Sequence, residues 1–283
     1  MKRKPRRTAR WVVVVVGVFL TAAALAGCDE TQTGASTANA RLGACHDLQY
    51  SQEVTAASDA NPAVSCTSPH TVQTFAIGQV VGKFASWRTR PDQEALQSLT
   101  STMCTVDALR SFLGAGARDS VTGVSIHAYF PNDAAWQGGA RQASCDVSVN
   151  GSDGAPRSIG FSLKGVMSKP GSAMIRTCYR QKPLPGGTWT LTGTSTTCDK
   201  PHSSQDINAW VMLKTPTASQ AQVATLCTPY AEEFAGADAL RSLGLQVTGI
   251  VAKQTNGTYS LHCAIGGDSR HGDITGVLLA HND

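Results

Sequence analysis

Two five-residue stretches carry side chains that do chemistry. "CTSPH" runs from Cys66 to His70, and "CDKPH" runs from Cys198 to His202. A thiolate and an imidazole four positions apart are the raw material of a soft-metal site or of a nucleophile with its base. In that reading His70 and His202 are the ligand candidates, with His46 or His262 completing the set. A structural reading stands beside it: the cysteine closes a disulfide, the proline stiffens the loop, and the imidazole hydrogen-bonds backbone at a strand entrance. The spacings favour the structural reading. The chain has no Cys-x-x-Cys, and its cysteines are too far apart for a zinc finger, so neither a metal nor a cofactor is expected. Enzyme signatures are missing too: there is no Gly-x-Ser-x-Gly, His-Glu-x-x-His, P-loop or EF-hand loop. The glycines of "LGAGARD" from Leu113 follow a helical pattern, where a dinucleotide loop follows a strand, and read as a helix stop. Glu232 and Glu233 are adjacent on a helical pattern, so they point in different directions, towards solvent. No catalytic residue is expected.

The N-terminus says where these residues act. Six basic residues (Lys2, Arg3, Lys4, Arg6, Arg7 and Arg10) precede an apolar run from Trp11 to Leu25. The run has 15 residues, short of the roughly 20 a spanning helix needs. It ends in "LAGC", Leu25 to Cys28, and so resembles the lipobox of bacterial lipoproteins. That resemblance implies a signal peptide over 1–27, acylation of Cys28, and palmitate among the acyl chains. The lipid would hold the chain on the outer face of the cell membrane. Arg6-Arg7 is followed by "TAR" instead of an apolar pair, which favours ordinary secretion over the twin-arginine route. Without the signal, 18 basic residues face 20 acidic ones, a balance of −2 against +4 for the whole chain. The basic character therefore reports targeting, and no nucleic-acid partner is expected.

Nine cysteines less Cys28 leave eight, an even number outside the cytoplasm, which reads as disulfides. Cys45, Cys66, Cys104 and Cys145 lie 21, 38 and 41 positions apart; Cys178, Cys198, Cys227 and Cys263 lie 20, 29 and 36 apart. Other landmarks keep step: Pro91 with Pro216 before a helical run, "VTGV" at Val121 with "VTGI" at Val247, and loosely "IGFSLKGVM" with "DITGVLLAH". The pattern predicts two tandem modules of about 110 to 125 residues, an ordinary domain size. If each copy pairs internally and alike, three connectivities remain. The expectation is first with second and third with fourth: Cys45–Cys66, Cys104–Cys145, Cys178–Cys198 and Cys227–Cys263. Closing loops of this size is worth about 3–4 kcal/mol each in the chain-entropy model.

These side chains need elements to hold them. "DETQTGASTANA", within a tether over 28–41, is polar, small and without apolar period. After His70, "TVQTFAIGQVVG" alternates as a strand, with "SQDINAWVMLK" as its counterpart. Leu96, Leu99, Met103, Val106, Leu109 and Leu113 recur at threes and fours, predicting one amphipathic helix between Pro91 and Gly114 with Cys104 on or beside its buried face. In the second copy Val223, Leu226, Tyr230 and Phe234 do the same, and Pro229 is expected to kink or divide the helix. Each copy then ends in a three-strand meander: "VTGVSIHAYF", "QASCDVSV" and "RSIGFSLKGV", then "QVTGIVAK", "TYSLHCAI" and "DITGVLLA". Turns are placed near Asn150-Gly151 and at Asn256-Gly257. The fold class is α+β: two tandem similar modules over 42–168 and 175–283, each an antiparallel sheet with one main helix and two disulfides. The join falls near "MSKPGSAMIR". Trp136, Trp189 and Trp210 stand as core or contact residues.

"LGAC", "SCTSPH", the helix cysteine Cys104 and "WQGGARQASC" from Trp136 to Cys145 resemble the septum-formation family of bacterial envelope proteins. The second module looks like a degenerate copy, keeping "CDKPH", Cys227 and "LHC" without the Trp-x-Gly-Gly stretch. Members of that family often carry an acidic residue three places after the motif histidine; this chain has Gln73 and Gln205. The resemblance implies a surface lipoprotein of high-GC Gram-positive bacteria (actinobacteria) linked to division septa, with no enzymatic activity to carry over. The expected function is a membrane-anchored, non-enzymatic binding or scaffold module with cell-wall or division partners. The alternative is a ligand-binding, metal-binding or hydrolytic envelope lipoprotein.

Overall fold

The alternating run after each Pro-His forms a strand in the computed structural model, and each of two sheets is assembled around one of them. The structure describes residues 40–48, 62–151 and 155–279; Cys28, the apolar run before it and most of the tether lie outside these. Among the described residues no helix is long and apolar enough to cross a membrane. The first sheet contains β1 (Cys45–His46), β2 (Val72–Gln79), β3 (Val124–Tyr129) and β4 (Gln142–Val149). The second contains β5 (Thr177–Leu184), β6 (Thr188–Thr197), β7 (Ser204–Leu213), β8 (Gln246–Lys253) and β9 (Tyr259–Gly266). Their orders are β1-β2-β4-β3 and β6-β5-β7-β9-β8, with antiparallel pairing throughout. The two sheets share register at their cysteines: Cys45 lies opposite Gln73 on β1–β2, and Cys178 lies opposite Gln205 on β5–β7.

Helices cover one face of each sheet. The single helix expected between Pro91 and Gly114 is two, α1 (Gln93–Met103) and α2 (Val106–Leu113). The break has a local cause. Thr100, Ser101 and Thr102 turn their hydroxyls back onto the carbonyls of Leu96, Ser98 and Leu99, a competition that weakens helices. Thr105 then caps a new helix by accepting from the Ala108 N–H at 3.2 Å. Gly114 ends α2 in the left-handed conformation (φ 70°) that favours glycine. A five-residue helix, α3 (Asp133–Gln137), places Trp136 in the core. In the second half α4 (Gln220–Ala235) runs through Pro229 unbroken and stops at Gly236, before α5 (Ala237–Ser242). Pro229 withholds only one N–H. Val223, Cys227, Ala231 and Phe234 keep a buried stripe running past it, so packing holds the helix together.

Four disulfides join Cys45 to Cys66, Cys104 to Cys145, Cys178 to Cys198 and Cys227 to Cys263. Cys104–Cys145 ties the end of α1 to β4 inside a core of Phe75, Phe112, Leu113, Val147 and Leu163. Cys227–Cys263 ties α4 to β9 among Ile207, Val223, Phe234, Leu261 and Ile265.

The expected meanders are two-stranded hairpins, β3–β4 and β8–β9. Their intended third strands instead cross back to the Pro-His loops as single bridges, Ile159 with His70 and Ile274 with His202. Glycine and polar residues on both sides of each bridge give no run long enough for a ladder. The hairpin β5–β6 is not among the expected elements. Pro183 and Pro185 obscure its alternation, yet Gly186 and Gly187 turn it at positive φ.

The two sheets are stitched through the segments that lead into β3 and β5. Ser120 to Gly123, before β3, run against Ile175 to Thr177, which lead into β5. Thr122 and Gly123 N–H both donate to the Ile175 carbonyl at 3.2 Å, and Thr177 N–H donates to Ser120 O at 3.2 Å. A Cβ on Gly123 would lie 2.6 Å from Met174 O, so only glycine lets the backbones approach this closely. Beside the stitch Asp119 and Arg176 form an ion pair whose side chains are each 1% exposed.

Candidate functional site

The Cys-x-x-Pro-His loops are cores of structure. Cys66 and Cys198 are half-disulfides. His70 and His202 are fully buried. His70 Nδ1 lies 2.8 Å from Ser68 O, and His202 Nδ1 lies 2.7 Å from Lys200 O. A carbonyl can only accept, so each Nδ1 carries the proton and donates it. Each Nε2 then turns a lone pair inward, without a hydrogen-bond partner. Burial holds the His202 imidazole below its ordinary pKa, against the opposing pull of its bond to Lys200 and the charge of Asp273. Each histidine also exchanges a pair of backbone hydrogen bonds, His70 with Ile159 and His202 with Ile274, all between 2.8 and 2.9 Å. Among the described residues one trio has metal-like proximity, Cys178, Cys198 and His202, with ligand atoms within 4.8 Å of one another. Its two sulfurs are bonded to each other, so no thiolate is on offer. His46 pairs with Val72 on β1–β2, and His262 lies on β9; neither joins His70 or His202 in a cluster.

Gln73 and Gln205 extend the same clasp. Gln73 Nε2 donates to Gly43 O at 2.9 Å and to Ser162 Oγ at 3.1 Å, and its Oε1 accepts from Leu163 N at 2.6 Å. Gln205 Nε2 donates to Leu279 O at 3.0 Å, and its Oε1 accepts from Leu278 N at 2.8 Å. Each amide both donates and accepts. A carboxylate cannot do both, which explains glutamine at these two positions.

The side chains that converge on open space lie elsewhere, on the face of the second sheet away from α4. Side chains alternate across a strand. Ile207, Leu261, Cys263 and Ile265 pack with α4, whereas Tyr179, Ile250 and Ala264 form a separate buried floor. On this face a cavity of about 450 Å³ is lined by Ser120, Thr122, Tyr179, Ser195, Asp206, Trp210 and His262, among others. That volume is within the range of small-molecule sites, about 300–1,000 Å³. Ser120 and Thr122 come from the stitch, so the cavity needs both halves of the chain. Thr122 and Ser195 also border a second, polar bay of about 700 Å³ that includes Asn150, Arg157 and Lys200. Arg157 is engaged there with Asp199 at 2.7 Å.

Asp206 is the electrostatic centre. It is buried, and its carboxylate accepts from the Tyr179 hydroxyl and, at 2.7 Å, from the Asn208 N–H. Burial pushes its pKa up, opposed by those two hydrogen bonds, by one from Ser120 and by nearby His262. Tyr179 is raised as well: burial disfavours the phenolate, and ionisation would set a second negative charge beside Asp206. Both shifts favour the uncharged form of each group. A break in register aims these groups. Asp206 pairs with Ala264 and Trp210 with His262, so β7 spends four steps where β9 spends two. Asn208 sits at the crest with φ 49°, the one non-glycine residue at positive φ among the described residues. Its side chain donates to Ala117 O at 2.7 Å. Such irregularities re-aim side chains and gather at functional sites. Trp136 and Trp189 are buried, their indole N–H groups donating to Trp87 O and Gly267 O, while Trp210 is 61% exposed.

Sequence reasoning did not find Tyr179, Asp206 or Ser120. The one visible signal is in "SQDINAW", where a carboxylate and an asparagine interrupt a strand pattern. A family model described as septum formation matches residues 42–263. No curated protein and no solved structure matches the chain.

Proposed function

This chain belongs to the septum-formation family, and we propose that it serves cell division as a lipid-anchored, extracytoplasmic binding protein without catalytic activity. The family match carries the link to division. The N-terminal "LAGC" supports acylation at Cys28, and the four disulfides suit an oxidising compartment. The cavity at the stitch, with its exposed Trp210 and hydrogen-bonding walls, supports binding of a partner from the wall or the division machinery. A fluorescent fusion imaged in dividing cells tests the role: enrichment at septa is expected, with aberrant septa in a deletion strain. A uniform envelope signal with normal septa refutes it. Labelled palmitate should enter the wild type and not Cys28→Ser.

A hydrolytic reading draws on Asp206 and His262 lining one cavity. It is weaker, because glycoside hydrolysis ordinarily uses two carboxylates and Asp206 is the one carboxylate in this lining. Release of soluble fragments from purified wall, abolished by Asp206→Asn, would establish it.

A further inference from the structure

We propose that the cavity at the stitch between the two sheets binds an uncharged saccharide chain, with Trp210 as its stacking platform. The inference rests on the binding role above and names its ligand class.

A sugar ring has an apolar face of C–H bonds and a rim of hydroxyls, and a matching site pairs an aromatic face with groups that both accept and donate. Trp210 supplies the face. It is 61% exposed in a chain whose Trp136 and Trp189 are buried. Cross-strand pairing sets it beside His262, and Ile250 lies beyond His262 in the same row. Asp206 supplies a buried acceptor, held in place by Tyr179 and Asn208 N–H. Hydroxyls of Thr122 and Ser195 line the wall and continue into the adjoining polar bay, so a chain longer than one ring has somewhere to run.

Charge narrows the class. The bay around Trp210 has no lysine or arginine in its lining to pair with an anion, so phosphate and carboxylate ligands are disfavoured. A cation would find one exposed aromatic ring and an acidic group whose burial favours its uncharged form, short of the several aromatic walls of a quaternary-ammonium cage. An uncharged, hydroxyl-rich ligand meets no penalty of either kind. The strained backbone at Asn208 (φ 49°) is a second observation at the same place. Asp206 and Trp210 stand four steps apart on β7 where β9 spends two, and both line the cavity.

The test uses the full-length chain in phosphatidylglycerol nanodiscs, with saturation-transfer-difference NMR and tryptophan fluorescence. The probes are triacetylchitotriose, maltotriose and choline. The expected result is saturable binding of a saccharide, with transfer strongest at the ring C–H protons. Trp210→Ala should weaken it about tenfold with an unchanged melting curve, since the side chain is exposed. Asp206→Asn tests the acceptor and should also weaken binding. No saccharide binding at 10-fold molar excess over millimolar protein, on the order of a weak-site concentration, overturns the inference. So does binding unchanged by Trp210→Ala, or binding of choline alone. If saccharides fail while the fusion still marks septa, the ligand class falls and the division role stands. If saccharides bind while the fusion is uniform, the reverse holds.

Discussion

Replacing Asp119 should unfold the seam between the sheets more readily than any surface change. The Asp119 and Arg176 side chains are each 1% exposed. Arg176 donates one Nη to Asp119 Oδ1 and the other to Met167 O at 2.9 Å. The second carboxylate oxygen accepts from Gly116 N–H at 2.9 Å, and the Asp119 carbonyl accepts from Arg110 at 2.9 Å. Asp119→Asn keeps the shape but leaves a guanidinium charge buried without its counter-charge. Breaking a buried pair in this way costs about 3–5 kcal/mol. Removing both charges, as Asp119→Leu with Arg176→Met, avoids the orphaned charge. It leaves only the Gly116 N–H and the Met167 carbonyl without partners, at about 1–3 kcal/mol each. The double variant should therefore lose markedly less than the sum of the two single ones. The partly exposed pair Arg157–Asp199 is the control, since opening a solvent-screened bridge costs about 0.2–1 kcal/mol. Urea unfolding followed by circular dichroism, with every disulfide intact, measures Asp119→Asn, Asp119→Leu, Arg176→Met, the double variant and the control. A loss under about 1 kcal/mol for Asp119→Asn, or single losses that add to within about 0.5 kcal/mol, would refute the claim that the pair welds the halves.

Two further outcomes follow from the clasps. Burial lowers the folded-state pKa of His202 below its ordinary value, so the unfolded chain takes up a proton more readily there. Its contribution to stability is complete above about pH 6.5 and is lost as the pH falls through the folded pKa. Thermal melts between pH 7.5 and 5 should show that slope, and His202→Asn should flatten it; an unchanged slope would remove His202 as its source. Gln73→Glu replaces the donor to Gly43 O and Ser162 Oγ with a second acceptor. The part-buried carbonyl left unpaired costs about 1 kcal/mol, readable as a lower urea midpoint, whereas a neutral result would show that the clasp does not hold the loop.

The disulfide frame was legible because its signal is written in spacing. Cysteines 21 or 20 positions apart, each second one followed by Pro-His, recur twice. The four bonds in the structure are the expected pairing, one of the three that the recurrence leaves. Strand-forming alternation after each histidine and the glycine stop at Gly114 were equally local, and both stand. The break at Cys104 was harder to see. Apolar period argues for one helix there, and only hydroxyls turning back onto carbonyls override it. At Pro229 the override runs the other way, since the tertiary packing of one buried stripe outweighs a missing N–H. The final segment of each half looked like a third strand, but a single pair of backbone bonds to His70 or His202 is all that it makes.

By itself, then, the sequence determined the covalent and local matters: where the chain is staple-bonded, which runs form strands, where its helices stop, and which family it joins. Those follow from neighbours and near-neighbours, whose preferences act within a turn or a hairpin. Only the tertiary structure showed which carbonyls the Cys-x-x-Pro-His histidines bond, and that open chemistry gathers at Tyr179, Asp206 and Trp210. The reason is physical. A site made from β5, β7, β9 and the stitch before β3 depends on which strand edges meet and on two extra residues in one register. No spacing along the chain records either.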